Sequence, residues 1–378
     1  MASQVSQGLG PIIKWAGGKE KELKYIIPNA PETFGNYFEP FVGGGSVFAA
    51  FEADHFFIND RSVELVGLYQ RIQDGSPAFY RWVGHITSAW SRMSDYVRRH
   101  SEPCDLYRDF REGILSIESV TSLLHGQVDN DWEAIAQTLH RDFAWHLDVF
   151  REKVHSNLQR KVLRMHSLEV KKGLMPDADV HDNIETAFMG ALYMYFRCLY
   201  NDKRLLMQDK DLAAALFLFI RNYAYGGMFR YNDEGDFNVP YGGMAYNSKS
   251  LSKKVDYYRS EALLEHFSRT TVDNLDFEEF FDRRQPQPDD FIFLDPPYDS
   301  GFSTYAQNEF TKDDQRRLAD YLCNRCKGKW MMVIKRTPFI YSLYDGKGLN
   351  INTFNKKYLV SFMNRNDKRA EHLIITNY

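Results

Sequence analysis

Short apolar runs, bounded by acidic residues, asparagine or proline, alternate along the chain with stretches of helical periodicity. The runs are typical of buried strands and lie at 55–58, 291–294, 330–334 and 373–375. The first ends at Asn59-Asp60, and the second ends at the double proline of Asp295-Pro296-Pro297-Tyr298. Strands that alternate with helices predict an α/β sheet, with ligand sites at the carboxyl ends of its strands.

The middle of the chain has a different pattern, in which apolar residues recur every three or four positions. From Trp132 to Val162 this spacing predicts one long amphipathic helix, about 45 Å long at ~1.5 Å per residue. The segment Asn130–Glu133 before it resembles a capping box. A second helical pattern runs from Ile184 to Leu199. We interpret 115–212 as a helical insertion whose apolar stripe packs in a core.

Composition limits the class of protein. The chain has 378 residues, 44% of them hydrophobic and 26% charged, as in globular proteins of about two or three domains. Its longest apolar run, near Leu212–Ile220, is far shorter than the roughly 20 residues of a membrane helix, so we expect no membrane partner. Four cysteines are too few for a disulfide framework, which favours a cytoplasmic location. Cys323-x-x-Cys326 has no second pair nearby, so no metal is predicted.

The charge distribution leaves two interpretations open. The net charge is −4, but residues 312–378 contain 14 Lys and Arg against six Asp and Glu. Residues 151–172 are also basic and follow an acidic stretch, so the insertion is electrically polarised. Basic faces of this kind either bind phosphates or are simply solvated. For the insertion, packing or dimerisation is the alternative to contact with DNA.

Asp295-Pro296-Pro297-Tyr298 has the groups needed to activate an exocyclic amino nitrogen, which is a weak nucleophile because its lone pair is delocalised. Hydrogen bonds from the amino group to the Asp295 carboxylate and the Pro296 carbonyl would favour a tetrahedral nitrogen and aim its lone pair. The two prolines fix the backbone, and Tyr298 offers a face on which a base stacks. A proline-stiffened turn is the alternative. Methyl transfer to a flipped base accounts for all four residues.

A glycine-rich turn, Phe38-Glu39-Pro40-Phe41-Val42-Gly43-Gly44-Gly45-Ser46, precedes a segment at 46–51 that is predicted to be helical. Small residues let a ligand approach the backbone closely. The turn lacks the G-x-G-x-x-G spacing of a dinucleotide site, which disfavours a pyrophosphate ligand. Asp60, 15 residues after Gly45, can accept hydrogen bonds from two ribose hydroxyls. The alternative is that Asp60 caps the following helix.

Two further loops carry candidate binding residues. Lys14-Trp15-Ala16-Gly17-Gly18-Lys19 offers a cation and an aromatic face to a zwitterion, or is an ordinary turn. The segment 230–240 predicts a hairpin that turns at Glu234-Gly235. Its Arg230 can recognise guanine through two hydrogen bonds, although a purely structural hairpin has the same pattern.

Taken together and in this order, these segments resemble the Dam-type family of DNA adenine methyltransferases. The 14–19 loop is similar to the family's K-W-x-G-G-K loop, and 39–46 is similar to its F-x-G-x-G cofactor motif. Residues 221–242 resemble the R-Y-x-Y-x-G-x-x-R-Y-N-x-x-G-x-F-N-V-P-F/Y-G segment of its target-recognition domain. Residues 295–298 match its catalytic motif, and 371–378 resemble its E-L-L-I-T-N-Y end. The resemblance covers roughly 1–114 and 213–378.

The resemblance implies a Rossmann-like, S-adenosylmethionine-dependent methyltransferase domain with an inserted, mainly helical target-recognition domain that carries a β-hairpin. We expect the catalytic domain at 1–70 and 270–378 and the recognition domain at 71–269. The implied activity is site-specific methyl transfer from S-adenosylmethionine to the amino group of a flipped adenine. The expected partners are double-stranded DNA and either a cognate restriction endonuclease or a second copy bound through the helical insertion.

The resemblance also implies the roles of site residues. The catalytic residues would be Asp295, Pro296, Pro297 and Tyr298. The cofactor-binding residues would be Trp15, Ala16, Gly17, Lys19, Glu39, Pro40, Phe41, Gly43, Gly45, Ser46, Asp60 and Asp295. The DNA-binding residues would be Lys14, Tyr225, Arg230, Asn232 and Pro240. Among these, Tyr225 matches an aromatic residue that enters the base stack beside the flipped base.

Departures from the family pattern limit what is carried over. Gly226 stands where several relatives carry Asn, so a GATC target is not implied. Residues 333–337 replace a segment that often reads I-S-N-x-D-T, and the insertion has no counterpart in compact members. An amino methyltransferase for cytosine or RNA, and a DNA-binding module without catalysis, are the alternatives. Asp295 favours adenine, because cytosine enzymes more often carry Ser at that position.

Overall fold

The computed structural model describes residues 5–6, 8–298, 310–357 and 369–378. The chain divides into two compact units, Met1–Asp74 with Tyr258–Tyr378, and Gly75–Tyr257. We call them the sheet unit and the helical unit. No helix in the described part of the chain is long and apolar enough to cross a membrane.

The sheet unit is built on a seven-stranded sheet of order β3-β2-β1-β4-β5-β7-β6. Its strands are β1 (Tyr37–Glu39), β2 (Phe56–Asn59), β3 (Thr270–Asp273), β4 (Phe291–Leu294), β5 (Lys329–Lys335), β6 (Asn350–Lys357) and β7 (Arg369–Thr376). The first five strands are parallel, and β7 is antiparallel to both β5 and β6. From β1 the chain continues to β2 on one side, whereas β4 pairs on the other. This is the topological switch point at which open α/β sheets bind ligands.

The described residues form helices in both units, numbered here in chain order. They are α1 (Leu23–Ile26), α2 (Val63–Gln73), α3 (Pro77–Arg99), α4 (Glu102–Arg111), α5 (Ile117–Asn130), α6 (Trp132–Ala136), α7 (Leu147–Lys172), α8 (Asp177–Asn201), α9 (Lys203–Gln208), α10 (Lys210–Tyr223), α11 (Ser252–Tyr258), α12 (Glu261–Ser268), α13 (Phe277–Arg284), α14 (Lys312–Asp320) and α15 (Pro338–Tyr344). Single 3₁₀ turns lie at Ile27–Asn29, Phe48–Ala50, Tyr225–Gly227 and Met244–Tyr246, and a π turn lies at Tyr321–Arg325.

The predicted α/β sheet is confirmed, and its central strands are apolar because both faces are covered. All four residues of β4 are buried, and α13 to α15 pack on one face of β4 and β5. The apolar runs at 55–58, 291–294, 330–334 and 373–375 all fall in strands, with ends shifted by a few residues. The strands β3 and β6 lacked this signal because polar residues such as Thr271 and Asn352 interrupt them.

The helix predicted at 46–51 is wrong. This segment forms only the 3₁₀ turn Phe48–Ala50, and Phe51 is extended with φ −113° and ψ 157°. Phe51 pairs with Val5 in an isolated antiparallel bridge, which takes its backbone out of any helical path. All of these side chains are buried, so the apolar run reflects burial rather than a helix.

In the helical unit, α8 packs against α3, α7 and α10, and α10 also packs against α3. The helical pattern from Ile184 to Leu199 is confirmed and belongs to α8. Most side chains of α8 from Ile184 to Tyr200 are buried, as are nearly all those of α10 from Leu212 to Tyr223. These two helices form the centre of the helical unit.

The prediction of one continuous helix from Trp132 to Val162 is wrong. α6 ends at Ala136, residues 137–146 form turns, and α7 begins only at Leu147. His146 adopts φ 53° and ψ 37°, a left-handed conformation that ends any continuous helix.

The periodic residues inside this break are nevertheless buried. Leu139 is 5% exposed and Phe143 is 1% exposed, so their spacing reflects packing and not helical backbone. The predicted capping box is also wrong, because the Asp131 side chain makes no cap hydrogen bond. It accepts instead from the hydroxyl of Tyr96 at 3.1 Å and the side-chain amide of Gln127 at 2.9 Å.

Candidate active site

A cavity of about 600 Å³ lies at the carboxyl ends of β1, β2 and β4 in the sheet unit. The segments that follow these three strands, 40–44, 60–62 and 295–298, form its walls together with the loop at 15–19. This volume is within the range of cofactor and small-ligand sites, and the position is the switch point of the sheet.

The structure brings together nearly all of the residues predicted to act in catalysis and cofactor binding. Those that line the cavity are Trp15, Ala16, Gly17, Lys19, Glu39, Pro40, Phe41, Gly43, Ser46, Asp60, Asp295, Pro296, Pro297 and Tyr298. Gly45 is not part of the lining. It has φ +73°, and a Cβ at this position would lie 2.5 Å from the hydroxyl oxygen of Tyr69. Gly45 therefore meets a packing requirement of the turn.

The backbone of Gly43 is held on both sides. Its N–H donates to Asp60 Oδ2 at 3.0 Å, and its carbonyl accepts from the Tyr69 hydroxyl at 3.0 Å. Gly43 has φ +48°, and a Cβ there would lie 2.9 Å from Trp15 Cδ1. The absence of a side chain at Gly43 thus lets the Trp15 ring pack closely against the turn. The group that approaches the glycine backbone here is a side chain of the protein and not a ligand.

Asp60 links two walls of the cavity, the glycine turn and the segment 60–62, through hydrogen bonds to backbone N–H groups. One carboxylate oxygen accepts from Gly43 and the other accepts from the Ser62 N–H at 2.9 Å. Burial raises the pKa of Asp60, and these backbone N–H groups act in the opposite direction. The cap of α2 is Ser62, whose hydroxyl accepts from the Leu65 N–H, so the alternative role of Asp60 as helix cap is wrong.

Lys19 forms an ion pair with Asp295 at the centre of the cavity. The Lys19 side chain is 3% exposed and that of Asp295 is 19% exposed. The Lys19 ammonium also donates to the Gly17 carbonyl at 2.9 Å and to the Tyr298 hydroxyl at 3.3 Å. This ion pair joins the 14–19 loop to the end of β4. Lys19 therefore belongs to the surroundings of the 295–298 motif.

Glu39 is a further carboxyl group of the cavity lining, beside Asp60 and Asp295. Glu39 is 2% exposed and accepts from the Tyr37 hydroxyl at 2.7 Å. Burial raises the pKa of Glu39 well above its usual range, and the negative charge of Asp295 raises it further. The hydrogen bond from the Tyr37 hydroxyl and the nearby Lys19 ammonium act in the opposite direction on the pKa of Glu39.

Two buried amides that sequence reasoning missed hold the walls in place. The Asn59 amide donates to the carbonyls of Pro40 at 3.0 Å and Leu275 at 3.1 Å. The Gln315 amide donates to the Pro297 carbonyl at 2.7 Å. Asn59 was visible as a polar residue at the end of a strand. Gln315 lies in the middle of α14 and gave no signal.

An aromatic wall was also missed. Phe41, Phe277 and Phe310 line the cavity, with ring centroids 5.6 to 5.9 Å apart. Only Phe41 belongs to a motif. The other two come from α13 and from the segment just before α14, so only the fold brings the three rings together.

The helical unit contains the predicted hairpin at 230–240. The bridge Tyr231↔Phe237 is antiparallel, and the Asn238 N–H donates to the Arg230 carbonyl at 3.1 Å. The Asn232 N–H donates to the Asp236 carbonyl at 2.9 Å. The hairpin prediction is confirmed.

Helix α8 anchors this hairpin. The Asn201 side chain accepts from the Phe237 N–H at 2.9 Å and donates to the Phe237 carbonyl at 3.1 Å. Tyr193 and Arg197 both donate to the Val239 carbonyl, at 2.9 and 3.1 Å. These three anchors lie inside the segment interpreted as an insertion, where no motif indicates their role.

The residues predicted to bind DNA are exposed in both units. Lys14, Arg230, Asn232 and Pro240 are exposed, and Tyr225 is 55% exposed. Within the hairpin, Arg230 Nε donates to Asn238 Oδ1 at 2.8 Å, and Asn232 Oδ1 accepts from the Asp236 N–H at 2.8 Å. Part of the hydrogen-bonding capacity of these two side chains is therefore used to shape the hairpin.

Comparison with known families decides the class of protein. Residues 15–124 and 170–362 match the sequence profile of the D12 class N6 adenine-specific DNA methyltransferases. The chain belongs to this family. Its reaction is methyl transfer to the N6 amino group of adenine in DNA, with S-adenosylmethionine as the methyl donor.

Individual relatives agree with the family match. The chain is 25% identical to the Type II methyltransferase M.CviBI of Paramecium bursaria Chlorella virus NC1A, over 97% of the chain and 99% of that protein. The identity to the Type II methyltransferase M.MjaIII of Methanocaldococcus jannaschii is also 25%, over 97% of the chain and 99% of that protein. A DNA adenine methylase of Vibrio cholerae is 31% identical over 44% of the chain and 58% of its own length.

Proposed function

We propose that this adenine methyltransferase acts at a specific sequence of double-stranded DNA, on an adenine flipped into the cavity of the sheet unit. The observation that supports this most directly is the ion pair of Lys19 with Asp295 at the switch point of the sheet. It supplies an oriented carboxylate beside the rigid carbonyl of Pro296.

The adenine amino group donates one N–H to the Asp295 carboxylate and the other to the Pro296 carbonyl. Both bonds strengthen as the nitrogen becomes tetrahedral, so they stabilise the transition state more than the ground state. Lys19 and Gln315 hold the two sides of this arrangement, Lys19 through Asp295 and Gln315 through the Pro297 carbonyl. The Tyr298 ring stacks on the base, with its hydroxyl within reach of Lys19.

The remaining walls fit S-adenosylmethionine, which supplies an electrophilic methyl group when bound. Asp60 is fixed by two backbone N–H groups, and its remaining lone pairs accept from the ribose hydroxyls. The rings of Phe41, Phe277 and Phe310 offer apolar faces to the adenine of the cofactor. Trp15 lines the same cavity against the glycine turn.

We assign target recognition to the helical unit, through its hairpin. The guanidinium fork of Arg230 suits guanine in the major groove, because only its Nε is used by Asn238. Tyr225 is exposed near the base of the hairpin, where its N–H donates to the Pro240 carbonyl at 2.9 Å, and it enters the base stack. Lys14 contacts the DNA backbone.

We also propose a setting for the activity. Two of the relatives bear the name Type II methyltransferase. A cognate restriction endonuclease that recognises the same sequence, in the cytoplasm, is the partner this setting requires. Plasmid DNA isolated from a host that makes the protein would then resist that endonuclease.

Methylome sequencing tests the proposal. DNA from a host that makes the wild-type protein should carry N6-methyladenine at one short recognition sequence. The same host with the Asp295→Ala variant should show none there. The Asp320→Ala variant removes an exposed carboxylate of α14 and should methylate normally. Methylation without sequence preference would contradict site specificity, and methylated cytosine would contradict the assignment of the target base.

A further inference from the structure

Two imidazoles and a carboxylate meet in the helical unit where the predicted continuous helix is broken. His85 lies on α3, and His140 and Asp142 lie in the turns between α6 and α7. The two imidazole rings stack with centroids 3.6 Å apart and planes 15° apart. Asp142 Oδ2 lies 3.3 Å from His140 Nδ1 and 3.8 Å from His85 Nδ1.

These distances are close to those between neighbouring ligands of one metal ion. Each of the three residues can offer one ligand atom, and these atoms all lie within 4.8 Å of one another. Bonds of about 2.0–2.2 Å in a tetrahedral zinc site place neighbouring ligand atoms roughly 3.3 Å apart. Two imidazoles with one carboxylate suit zinc and similar transition metals, whereas calcium and magnesium prefer oxygen ligands.

The burial of His85 also fits a ligand, because its side chain is only 17% exposed. In the described part of the chain, the buried Nδ1 of His85 has no hydrogen-bond partner. A buried ring nitrogen of this kind is costly unless something binds it.

We propose that His85, His140 and Asp142 bind one Zn²⁺ ion, with water as the fourth ligand. The ion joins α3 to the 137–146 turns and so fixes the break between α6 and α7. Nearly parallel rings have nearly parallel lone pairs, so binding requires the His140 ring to rotate. His140 is the more exposed ring, at 33% of its side chain against 17% for His85. Its Nδ1 then exchanges the Asp142 N–H, at 3.2 Å, for the metal.

The helical unit contains a second histidine pair that serves as an internal control. His125 and His155 stack with centroids 4.5 Å apart and planes 16° apart, and Asp129 Oδ1 lies 3.0 Å from His155 Nε2. Here Arg151 Nε donates to the same Asp129 oxygen at 2.8 Å, and Arg151 Nη2 lies 2.7 Å from that oxygen. The Arg151 guanidinium therefore neutralises the Asp129 carboxylate and occupies the position beside it that a metal ion would need.

Asp142 is not neutralised in this way. The cation in contact with it is Arg141, whose Nε is 3.9 Å away and whose side chain is 91% exposed. An exposed, distant guanidinium competes weakly with a divalent ion. Among the described residues, the two pairs thus resemble each other in stacking and in having buried ring nitrogens without a hydrogen-bond partner, and they differ in whether a carboxylate is available to a metal.

Calorimetric titration of the full-length, chelator-treated protein with ZnCl₂ tests the proposal. We expect one ion per chain. His85→Gln and His140→Gln should each weaken binding by more than about tenfold, whereas His155→Gln in the control pair should leave it unchanged. Circular dichroism confirms that each variant is folded. Trp82, whose ring lies 5.6 Å from that of His85, should change its fluorescence on titration in wild type.

CoCl₂ distinguishes this site from a cysteine site. Nitrogen and oxygen ligands should give tetrahedral cobalt bands without the charge-transfer absorption of a thiolate. Absence of binding, or equal affinity in wild type and His85→Gln, would overturn the proposal. A thiolate band would also overturn it, since it would place the ion at cysteines such as Cys323 and Cys326. Equal losses in His85→Gln and His155→Gln would show that the free carboxylate is not what decides binding.

Discussion

The sheet unit and the helical unit differ in how their residues come to act together. In the sheet unit, the cavity is built from short contiguous segments that end three strands, and two of these segments contain proline or glycine. In the helical unit, the hairpin depends on side chains of α8 some 36 to 46 residues away. Local backbone constraint therefore dominates the first unit, and tertiary packing dominates the second. Changes in the first should affect the chemical step, and changes in the second should affect the choice of DNA.

Loss of the central ion pair should have the largest effect. Lys19→Met leaves the carboxylate of Asp295 without its buried cation, so the rate of methyl transfer in a single turnover should fall at least about 100-fold. Cofactor affinity, measured by calorimetry, should change much less. Lys21→Met, at an exposed lysine two residues on, is the matched control. If Lys19→Met lowers cofactor affinity while the rate at saturation is normal, Lys19 serves the cofactor instead.

A change in the glycine turn should come next. Gly43→Ala places a Cβ against Trp15 at φ +48°, which should destabilise the protein by about 1–3 kcal/mol and weaken cofactor binding by about tenfold. Gly346→Ala imposes similar backbone strain at φ +70° with no atom within 4 Å of the new Cβ. The control should therefore lose stability but keep its cofactor affinity. Equal cofactor affinity in the two variants would show that the Trp15 contact does not shape the site.

In the helical unit, Asn201→Ala should act on specificity. It removes both hydrogen bonds that hold Phe237, at a cost of about 1–3 kcal/mol, and so loosens the hairpin. Discrimination between cognate and altered duplexes should fall about tenfold, with the single-turnover rate on saturating cognate DNA preserved. Asn183→Ala, on the same helix, is the control. A loss of rate with discrimination intact would contradict the division of roles between the units.

The smallest effect is expected from the basic half of α7. Arg160 and Arg164 are exposed. In the double variant Arg160→Gln with Arg164→Gln, the slope of log DNA affinity against log salt concentration should fall by an amount that corresponds to the loss of up to about two phosphate contacts. The effect should be the same for cognate and altered duplexes. An unchanged salt dependence would leave this half of the helix with a packing or partner role only.

The parts of the structure that could be predicted from sequence also differ between local backbone constraint and tertiary packing. The 295–298 motif and the glycine turn could be located from sequence because proline restricts the backbone locally, and glycine permits backbone conformations that other residues avoid, whatever surrounds them. The partner of Asp295 could not, because Lys19 lies 276 residues away and only the sheet order brings the two together. Lys19 was therefore assigned to the cofactor, although its ion pair is with the catalytic motif.

Apolar periodicity was a weaker guide. Leu139 and Phe143 continue the spacing of a helix but lie in turns. Both are buried, and the Phe143 ring contacts Trp82 of α3 and Phe196 of α8. The left-handed His146 carries no sequence signal of its own, because it is neither glycine nor asparagine. Strand signals survived where strands were buried on both faces, as in β4, and failed in the polar strands β3 and β6.

The central claim is that Asp295 orients the amino group of the target in the sheet unit. Single-turnover methylation by Asp295→Ala, measured beside calorimetric cofactor binding, tests it most directly. We expect a rate at least about 100-fold below wild type, with cofactor affinity changed by less than about fivefold and Asp320→Ala normal in both. A near-normal rate for Asp295→Ala would contradict this role of Asp295. So would a slow reaction that saturating cofactor restores.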